Sequence, residues 1–379
     1  MPWGVKEKVE QREEFVRKVK LKEKSFKKLC AEYEISRKTG YKWLNRDIQG
    51  LGLEDQSKRP HHSSNQISGD METLLLKKRR EHPDWGGKKI RRVLLNEGKE
   101  GIPASSMITE VLRRNGFIDE RESLKHRAFQ RFEYAAPNEL WQADFKGNKG
   151  WARQVGCHPL TVLDDHSRFN IGLRSCPDER KETVQQEFSL MFRQYGMPLR
   201  ILTDNGSPWG NGPADESYTA ISVWLMILGI GVIHGRPCHP QTQGKDERFN
   251  RTLQAEVMCH CRPDGWKGYQ PVFDEWREVY NNVRPHEALG MQVPADRYTP
   301  SIREFPEKLP EVVYDEGLQL RKTDPTGWIC FHNRYWYVGR AFQGYYVAVE
   351  QSEVDGVYDV LFMNYCVSSI DLRQNRRRP

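Results

Sequence analysis

The pattern of apolar and polar positions divides the chain into three parts. Apolar side chains recur at helical spacing up to about residue 115, and β-like runs alternate with helical ones between residues 138 and 298. From residue 311 onward only short β-like runs occur, separated by turns that contain Gly or Asn. The helical runs of the first part cover residues 8–20, 25–33, 35–44, 71–80, 86–95 and 107–115.

The third helical run has the composition of a helix that contacts DNA. Ser36 is a favoured N-cap residue, and Arg37, Lys38 and Lys42 lie on the face opposite to the apolar positions. With the run before it, this segment resembles the helix-turn-helix of DNA-binding proteins, whose second helix enters the major groove. We predict a helix-turn-helix domain over residues 1–55, with an ordinary small helical bundle as the alternative.

A second helical unit follows a flexible linker. Residues 56–68 are rich in Ser, Pro, His and charge without apolar periodicity, which predicts a linker. Residues 69–128 then contain three further helical runs, with Ser105 or Ser106 as a possible cap for the last one. Arg113 and Arg114 near the end of this last helix suit phosphate contact. We therefore predict a second helix-turn-helix domain in tandem with the first.

The middle part predicts a mixed sheet flanked by helices. Strand-like runs occupy residues 140–145, 158–165, 168–173, 199–204 and 230–233, and helical runs occupy residues 179–195, 216–228 and 244–261. Gly244 ends a loop that is rich in proline, and the helix that begins there carries Glu247 in its first turn. Phe249, Leu253 and Val257 form the apolar stripe of this helix.

The last part predicts a small β-barrel. About five short strands between residues 311 and 368 suggest a closed sheet over residues 308–379, serving DNA binding or assembly. The whole chain is thus expected to be a multidomain α+β protein.

Charge is distributed unevenly along the 379 residues. Residues 1–135 hold 31 Lys and Arg against 21 Asp and Glu, whereas residues 136–379 hold 28 against 31. A basic front end of this kind favours a polyanionic partner such as double-stranded DNA. Eight scattered cysteines indicate reduced thiols, and the longest apolar run is too short to span a bilayer. We expect a cytoplasmic protein, associated with the bacterial nucleoid when bound to DNA, and no membrane partner.

Three carboxylates occupy positions that the predicted fold would bring together. Asp144 lies in the first strand, Asp204 lies just past the fourth, and Glu247 lies on the helix after the fifth. Clustered carboxylates repel one another unless a hard cation neutralises them, and Mg²⁺ prefers oxygen ligands. These residues are the candidate ligands of a divalent-metal site, at which two ions can assist an in-line phosphoryl transfer.

Four motifs, in order, resemble the catalytic core of bacterial insertion-sequence transposases in the retroviral-integrase superfamily. They are the residues 141–144 (WQAD), 163–168 (LDDHSR), 203–207 (TDNGS) and 239–250 (HPQTQGKDERFN). The resemblance is close over residues 136–298 and looser at both ends. It implies an RNase H-like core in which Asp144, Asp204 and Glu247 are the DDE catalytic and metal-binding residues, with Mg²⁺, or Mn²⁺ as a substitute, and two ions.

The same resemblance implies a reaction and its partners. A metal-activated water cuts a phosphodiester at the end of the mobile element, and the freed 3′-OH attacks target DNA without a covalent enzyme intermediate. Lys245, Arg248 and Arg251 would contact DNA, and Asn205 and Gln243 are further candidates. Because two element ends must be joined in concert, a homo-oligomer in the DNA complex is expected.

Other carboxylates and other functions remain open from the sequence. Asp164 and Asp165 suit a turn better than a metal site. Asp246 projects toward the apolar side of its helix, so it either lies in an exposed first turn or weakens the packing. The chain could be a domesticated DNA-binding protein with an inactive core. A glycosidase with a carboxylate pair is a further alternative, but it would not account for the basic front end.

Overall fold

The structure is a computed structural model that describes residues 8–55, 67–118, 133–147, 150–204, 206–210, 218–234 and 244–373. The predicted linker lies mostly outside the described residues, as do Asn205, Gln243 and the end of the second predicted helical domain. The chain separates into two compact units, residues 1–66 and residues 67–379.

The first unit is a bundle of three helices around an aromatic core. Its helices are α1 (Lys8–Lys20), α2 (Phe26–Glu32) and α3 (Arg37–Ile48). As predicted, Ser36 caps α3, since its Oγ accepts a hydrogen bond from the backbone N of Thr39 at 3.1 Å. Phe15, Leu29 and Trp43 are buried between the helices. A Cβ on Gly40 of α3 would lie 2.9 Å from Sγ of Cys30, so glycine permits the close approach of α2 and α3.

The second unit begins with three more helices that share a core of their own. These are α4 (Gly69–Glu81), α5 (Gly87–Asn96) and α6 (Ser105–Arg114). Buried Leu75, Ile90 and Ile108, one from each helix, hold them together. The N-cap of α6 is Ala104, without a side-chain cap, so the predicted capping by Ser105 or Ser106 is wrong. Ser105 is instead the first helical residue, and its carbonyl accepts from Thr109.

A five-stranded mixed sheet forms the middle of the second unit. Its strands are β1 (Leu140–Phe145), β2 (His158–Asp164), β3 (Asn170–Cys176), β4 (Arg200–Thr203) and β5 (Gly231–His234). The spatial order is β3-β2-β1-β4-β5, in which β1, β2 and β3 are antiparallel neighbours and β1, β4 and β5 run parallel. The parallel pair β1–β4 brings the carboxyl ends of two strands to the same edge of the sheet.

Helices cover both faces of this sheet. On one face α8 (Lys181–Tyr195) and α9 (Ala220–Ile227) bury an aromatic core that includes Trp141, Phe188 and Phe192. On the other face α10 (Gly244–Leu253) and α11 (Tyr269–Asn282) bury Phe249, Leu253 and Phe273. A short helix, α7 (Trp151–Gln154), precedes β2, and a π-helical turn (Gln254–Met258) continues α10. The predicted apolar stripe of α10 is therefore confirmed.

The C-terminal part consists of two open sheets rather than the predicted small barrel. Its strands are β6 (Gln319–Lys322), β7 (Trp328–Phe331), β8 (Arg334–Tyr337), β9 (Tyr346–Gln351), β10 (Val357–Phe362) and β11 (Tyr365–Asp371). Four of them form a sheet in the order β11-β10-β9-β6, and β7 pairs with β8 alone. Within the described strands no pairing closes either sheet, so the barrel is not confirmed. This part shares its core with Val223, Met226 and Ile227 of α9, which cover the sheets instead.

Two further findings concern the cysteines and membrane insertion. Seven cysteines of the described segments are free thiols, three of them buried. Among the helices that the structure describes, none has the length and apolar character that crossing a membrane requires.

Candidate active site

Asp144 and Asp204 lie side by side at the carboxyl edge of the sheet. Leu140, Trp141 and Gln142 of β1 pair with Arg200, Ile201 and Leu202 of β4. The same register, continued by two residues, sets Asp144 opposite Asp204, which directly follows β4. Both side chains are half-buried. The sheet thus brings together the first two carboxylates that the sequence predicts for the site.

Burial raises the pKa of both carboxylates. Burial, together with the negative charge of Asp204, raises the pKa of Asp144 from 3.8 to about 6. Burial also raises the pKa of Asp204, although the backbone N of Gly206 donates to its Oδ1 at 3.1 Å and opposes that rise. Two partly desolvated carboxylates at the same edge of the sheet are an electrostatic cost that a divalent cation would reduce.

Gly206 packs directly against the carboxylate of Asp204. A Cβ at residue 206 would lie 3.0 Å from Oδ2 of Asp204. The sequence predictions do not include Gly206, although its place two residues after Asp204 in the motif TDNGS was a signal for it. Because residue 206 is glycine, no side chain crowds the carboxylate on this side.

Helix α10 reaches the first carboxylate through Asn250 rather than through Glu247. Nδ2 of Asn250 donates to Oδ2 of Asp144 at 3.0 Å, and Oδ1 of Asn250 is buried with no hydrogen-bond partner among the described residues. The side chain of Glu247 is 65% exposed, and its Oε1 lies 3.0 Å from Nη2 of Arg251 in an ion pair. Within the described residues, no three His, Cys, Asp or Glu side chains form a group that could hold a metal ion.

The two residues before Glu247, Lys245 and Asp246, are both largely shielded from solvent. Lys245 is predicted as a DNA contact, but its side chain is 17% exposed and its Nζ lies 2.5 Å from Oδ1 of Asp165. Asp246 is 2% exposed, so the exposed first turn considered for it is wrong, and it does face the apolar side. Burial and the charges of Asp144 and Asp165 raise the pKa of Asp246 well above its usual range. Its Oδ1 has no hydrogen-bond partner among the residues that the structure describes.

Asp164 has the structural role that a turn predicts. Its Oδ1 accepts from the backbone N of Asn138 at 2.7 Å, and its Oδ2 accepts from N and Oγ of Ser167 at 2.8 and 2.6 Å. These bonds close the β2–β3 turn and bind it to the residues before β1. Since both carboxylate oxygens of Asp164 accept hydrogen bonds from neighbouring residues of the chain, its role is to stabilise the turn.

The predicted DNA contacts divide into exposed and paired cations. Arg37, Lys38 and Lys42 are exposed on α3, as expected for a recognition helix, and Arg248 is exposed on α10. Arg251 on α10 is exposed as well, but it pairs with Glu247. At the end of α6, Arg113 forms an ion pair with Glu110, and Arg114 forms one with Glu72. These last two arginines would have to exchange their carboxylates for phosphate.

The oxygen ligands at the sheet edge suit a hard divalent cation. Asp144 and Asp204 present carboxylates whose pKa values are raised mainly by burial, and the buried Oδ1 of Asn250 lies on the residue that donates to Asp144. Two of the three predicted ligands therefore fit Mg²⁺. The third, Glu247, lies on the same helix as Asn250 but faces solvent.

Comparison with known families matches four segments of the chain. Two families described as Integrase core domain match residues 135–240 and 228–294. The family described as IS481 family transposase, C-terminal domain, matches residues 318–378, and a Helix-turn-helix domain family matches residues 11–61. Together these matches support a transposase of a bacterial insertion sequence with an integrase core domain. The predicted first helix-turn-helix domain and integrase core are thereby confirmed.

Relatives from insertion elements share part of the sequence. The insertion element IS407 uncharacterized 31.7 kDa protein of Burkholderia multivorans is 24% identical over 252 residues, which are 63% of this chain and 82% of the relative. The insertion element IS476 uncharacterized 39.2 kDa protein of Xanthomonas euvesicatoria is 27% identical over 160 residues, 42% of this chain and 44% of the relative.

Solved structures that resemble the chain include viral integrases. The HTLV-2 integrase catalytic core domain in complex with magnesium gives a TM-score of 0.33 at 16% identity, over 43% of this chain and 97% of that one. A chain of the simian T-cell lymphotropic virus intasome in complex with PP2A regulatory subunit B56 gamma gives 0.38 at 13% identity, over 80% and 98%. The family matches and the strand order, rather than these similarities, identify the fold.

Proposed function

We propose that the protein is a DNA transposase that binds the terminal repeats of a mobile element and catalyses metal-dependent DNA cleavage and strand transfer into target DNA. The observation that carries this proposal is the position of Asp144 and Asp204 at the carboxyl ends of the neighbouring parallel strands β1 and β4, where Asn250 of α10 donates to Asp144 at 3.0 Å. The basic helices of the first third would supply the grip on DNA.

Asp144, Asp204 and Glu247 would hold Mg²⁺, or Mn²⁺ in its place. Glu247 would exchange Arg251 for the metal, and this exchange is feasible because the ion pair between them is exposed and therefore weak. When bound, two divalent ions supply stabilisation of the attacking and leaving oxygens of an in-line displacement. Asn250 would keep the carboxylate of Asp144 oriented, and Gly206 would do the same for Asp204.

The reaction exchanges phosphodiester bonds without a covalent enzyme intermediate. In the first step the oxygen of water bonds to the phosphorus at the end of the element, and the 3′-oxygen leaves and takes up a proton. In the second step that 3′-OH bonds to a target phosphorus and displaces another 3′-oxygen. One phosphodiester forms for each one broken in this step, so no nucleotide cofactor is needed. Because two element ends are joined to one target, we propose that the active form is a homo-oligomer on DNA.

Cleavage of a DNA duplex that carries the terminal repeat tests the proposal. Nicking should require Mg²⁺ or Mn²⁺, stop with EDTA, and be lost in Asp144→Asn and Glu247→Gln. Glu275→Gln is the matched control, since Glu275 is an exposed glutamate on α11. Nicking by Glu247→Gln at the wild-type rate would remove Glu247 from the site. Specific binding without any nicking by the wild type would favour the alternative, a DNA-binding protein with an inactive core.

A further inference from the structure

The first turn of α10 is fastened to the sheet by a buried ion pair. Nζ of Lys245 lies 2.5 Å from Oδ1 of Asp165 and donates to the backbone oxygen of the same residue at 3.2 Å. The two side chains are 17% and 2% exposed. Removing two charges from water is costly, and a pair of this kind persists only where further hydrogen bonds complete it.

Three more hydrogen bonds hold Asp165, two to β1 and one to the segment before it. Nε2 of Gln142 on β1 donates to its Oδ1 at 2.6 Å, and the backbone N of Tyr134 donates to its Oδ2 at 2.9 Å. The backbone N of Asp165 itself donates to the carbonyl of Leu140 at 2.9 Å. The carboxylate is therefore a fixed point of the sheet, and Lys245 is a contact that connects α10 to it.

A second contact connects α10 to the sheet five residues later. Asn250 donates to Asp144, so the helix is attached at residues 245 and 250, which are about 7.5 Å apart along its axis at 1.5 Å per residue. Two attachment points on a rigid helix fix both its rotation and its position along the axis. Glu247 lies between them, so its place relative to Asp144 depends on both contacts.

We propose that Lys245 is a positioning residue that acts through Asp165 to set the first turn of α10, and with it Asn250 and Glu247, against Asp144. This inference rests on the proposed function for its catalytic meaning. It assigns Lys245 a different role from the DNA contact predicted from the sequence, because the ammonium group is already bound and largely shielded from solvent. The two roles predict different measurements.

Lys245→Met removes the charge and keeps much of the side-chain length. We expect faster hydrogen exchange in peptides that cover α10, and an affinity for Mn²⁺ alone that falls about tenfold or more, measured by thermal shift without DNA. In cleavage assays kcat should fall while the KM for the DNA end stays within about twofold of wild type. Asp165→Asn removes the other charge of the same ion pair. It should shift hydrogen exchange in α10, Mn²⁺ affinity and kcat in the same direction as Lys245→Met.

Glu256→Gln is the matched control because it breaks another buried ion pair just after α10. Oε1 of Glu256 lies 3.0 Å from Nη2 of Arg284, and the two side chains are 12% and 9% exposed. This variant should destabilise the fold and leave Mn²⁺ affinity near the wild-type value. If Lys245→Met shifts Mn²⁺ affinity no more than Glu256→Gln does, the pair is only structural and the proposal is wrong.

A weaker DNA affinity of Lys245→Met with a smaller salt dependence, at unchanged Mn²⁺ affinity, would also contradict the proposal and restore Lys245 as a phosphate contact.

Hydrogen exchange separates failure of this proposal from failure of the proposed function. If the wild type neither binds Mn²⁺ nor nicks DNA, the proposed function fails. Exchange in α10 still reports whether Lys245 holds the helix, and unchanged exchange in both Lys245→Met and Asp165→Asn would refute the positioning role.

Discussion

The carboxylate of Asp144 is costly to ionise in the site that it helps to form. Burial and the charge of Asp204 raise its pKa to about 6, although Asn250 donates a hydrogen bond that favours the charged form. Above that pH the protein therefore holds a charge that the unfolded chain would carry more easily. The ionised carboxylate of Asp144 therefore lowers the stability of the metal-free fold and at the same time attracts a cation.

Replacing Asp144 with Asn should stabilise the metal-free protein near neutral pH. Because the folded-state pKa lies above the ordinary 3.8, the stabilisation from the protonated form is complete below pH 4 and is lost as the pH rises through about 6. The shift corresponds to at most about 3 kcal/mol at 1.36 kcal/mol per pKa unit. Urea unfolding in EDTA should show Asp144→Asn more stable than wild type at pH 7.5, with a smaller difference at pH 5. Asp264→Asn, an exposed control, should show no such trend. Lower stability of Asp144→Asn at pH 7.5 would contradict the electrostatic argument.

Gly206→Ala tests whether the carboxylate of Asp204 needs space. The added Cβ would lie 3.0 Å from Oδ2, so the carboxylate must move by a few tenths of an ångström. We expect Mn²⁺ affinity to fall about tenfold, as for other residues that orient metal ligands. The change should be measured by metal titration against Gly69→Ala, where a Cβ meets no described atom within 4 Å. Equal affinities in the two variants would show that the close contact is relieved without consequence.

Single residues show where sequence reasoning succeeds and where it ends. Asp144 and Asp204 could be predicted to meet because each lies near the carboxyl end of a strand, and neighbouring parallel strands share that edge. The ion pair of Lys245 could not, since its partner Asp165 is 80 positions earlier and helical spacing does not indicate which buried group a basic side chain meets. Asp246 was placed on the correct face, but its burial depended on neighbours in β1 and the β2–β3 turn.

Among elements, the sheet and its helices follow the sequence more closely than the C-terminal strands do. Periodicity predicts β1 at residues 140–145, as observed, because an apolar strand in the middle of a sheet is buried on both faces. The helix predicted from Gly244 is present at Gly244–Leu253 and changes to a π-helical turn at Gln254. That the C-terminal sheets stay open could not be predicted from the sequence. Three apolar residues of α9, from a distant part of the sequence, complete their core.

The third helix offers a test of DNA recognition at the scale of an element. Arg37, Lys38 and Lys42 are exposed on α3. If each contacts a phosphate, replacing all three with Ala should weaken DNA binding and reduce the slope of log K against log salt by about 2.7, at about 0.9 per phosphate. Electrophoretic mobility shifts at several salt concentrations would measure this. Lys27→Ala with Lys28→Ala on α2 is the control, and an unchanged slope in the α3 variant would exclude α3 from the phosphate contacts.

For the whole molecule, charge and compactness indicate a division of labour. The excess of basic residues lies in residues 1–135, and the acidic site lies in the remainder, where residues 136–379 carry 28 Lys and Arg against 31 Asp and Glu. Residues 1–66 form a compact unit with a buried core of their own. Under the proposed function, this separation of recognition from chemistry is an advantage, because a slightly acidic catalytic part binds less DNA non-specifically.

Deletion of residues 1–66 should separate these two tasks. The remaining chain retains the cores around the sheet and beside it, so we expect cooperative thermal unfolding and metal-dependent nicking of DNA without preference for the terminal repeat. Competition between a terminal-repeat duplex and a scrambled duplex would measure the loss of preference. The comparison is the full-length α3 variant, in which the first unit is present but Arg37, Lys38 and Lys42 are replaced with Ala. Because a folded helix-turn-helix reads base edges as well as phosphates, that variant should retain part of the preference that the deletion abolishes. Undiminished preference after the deletion would assign end recognition to α4–α6 instead.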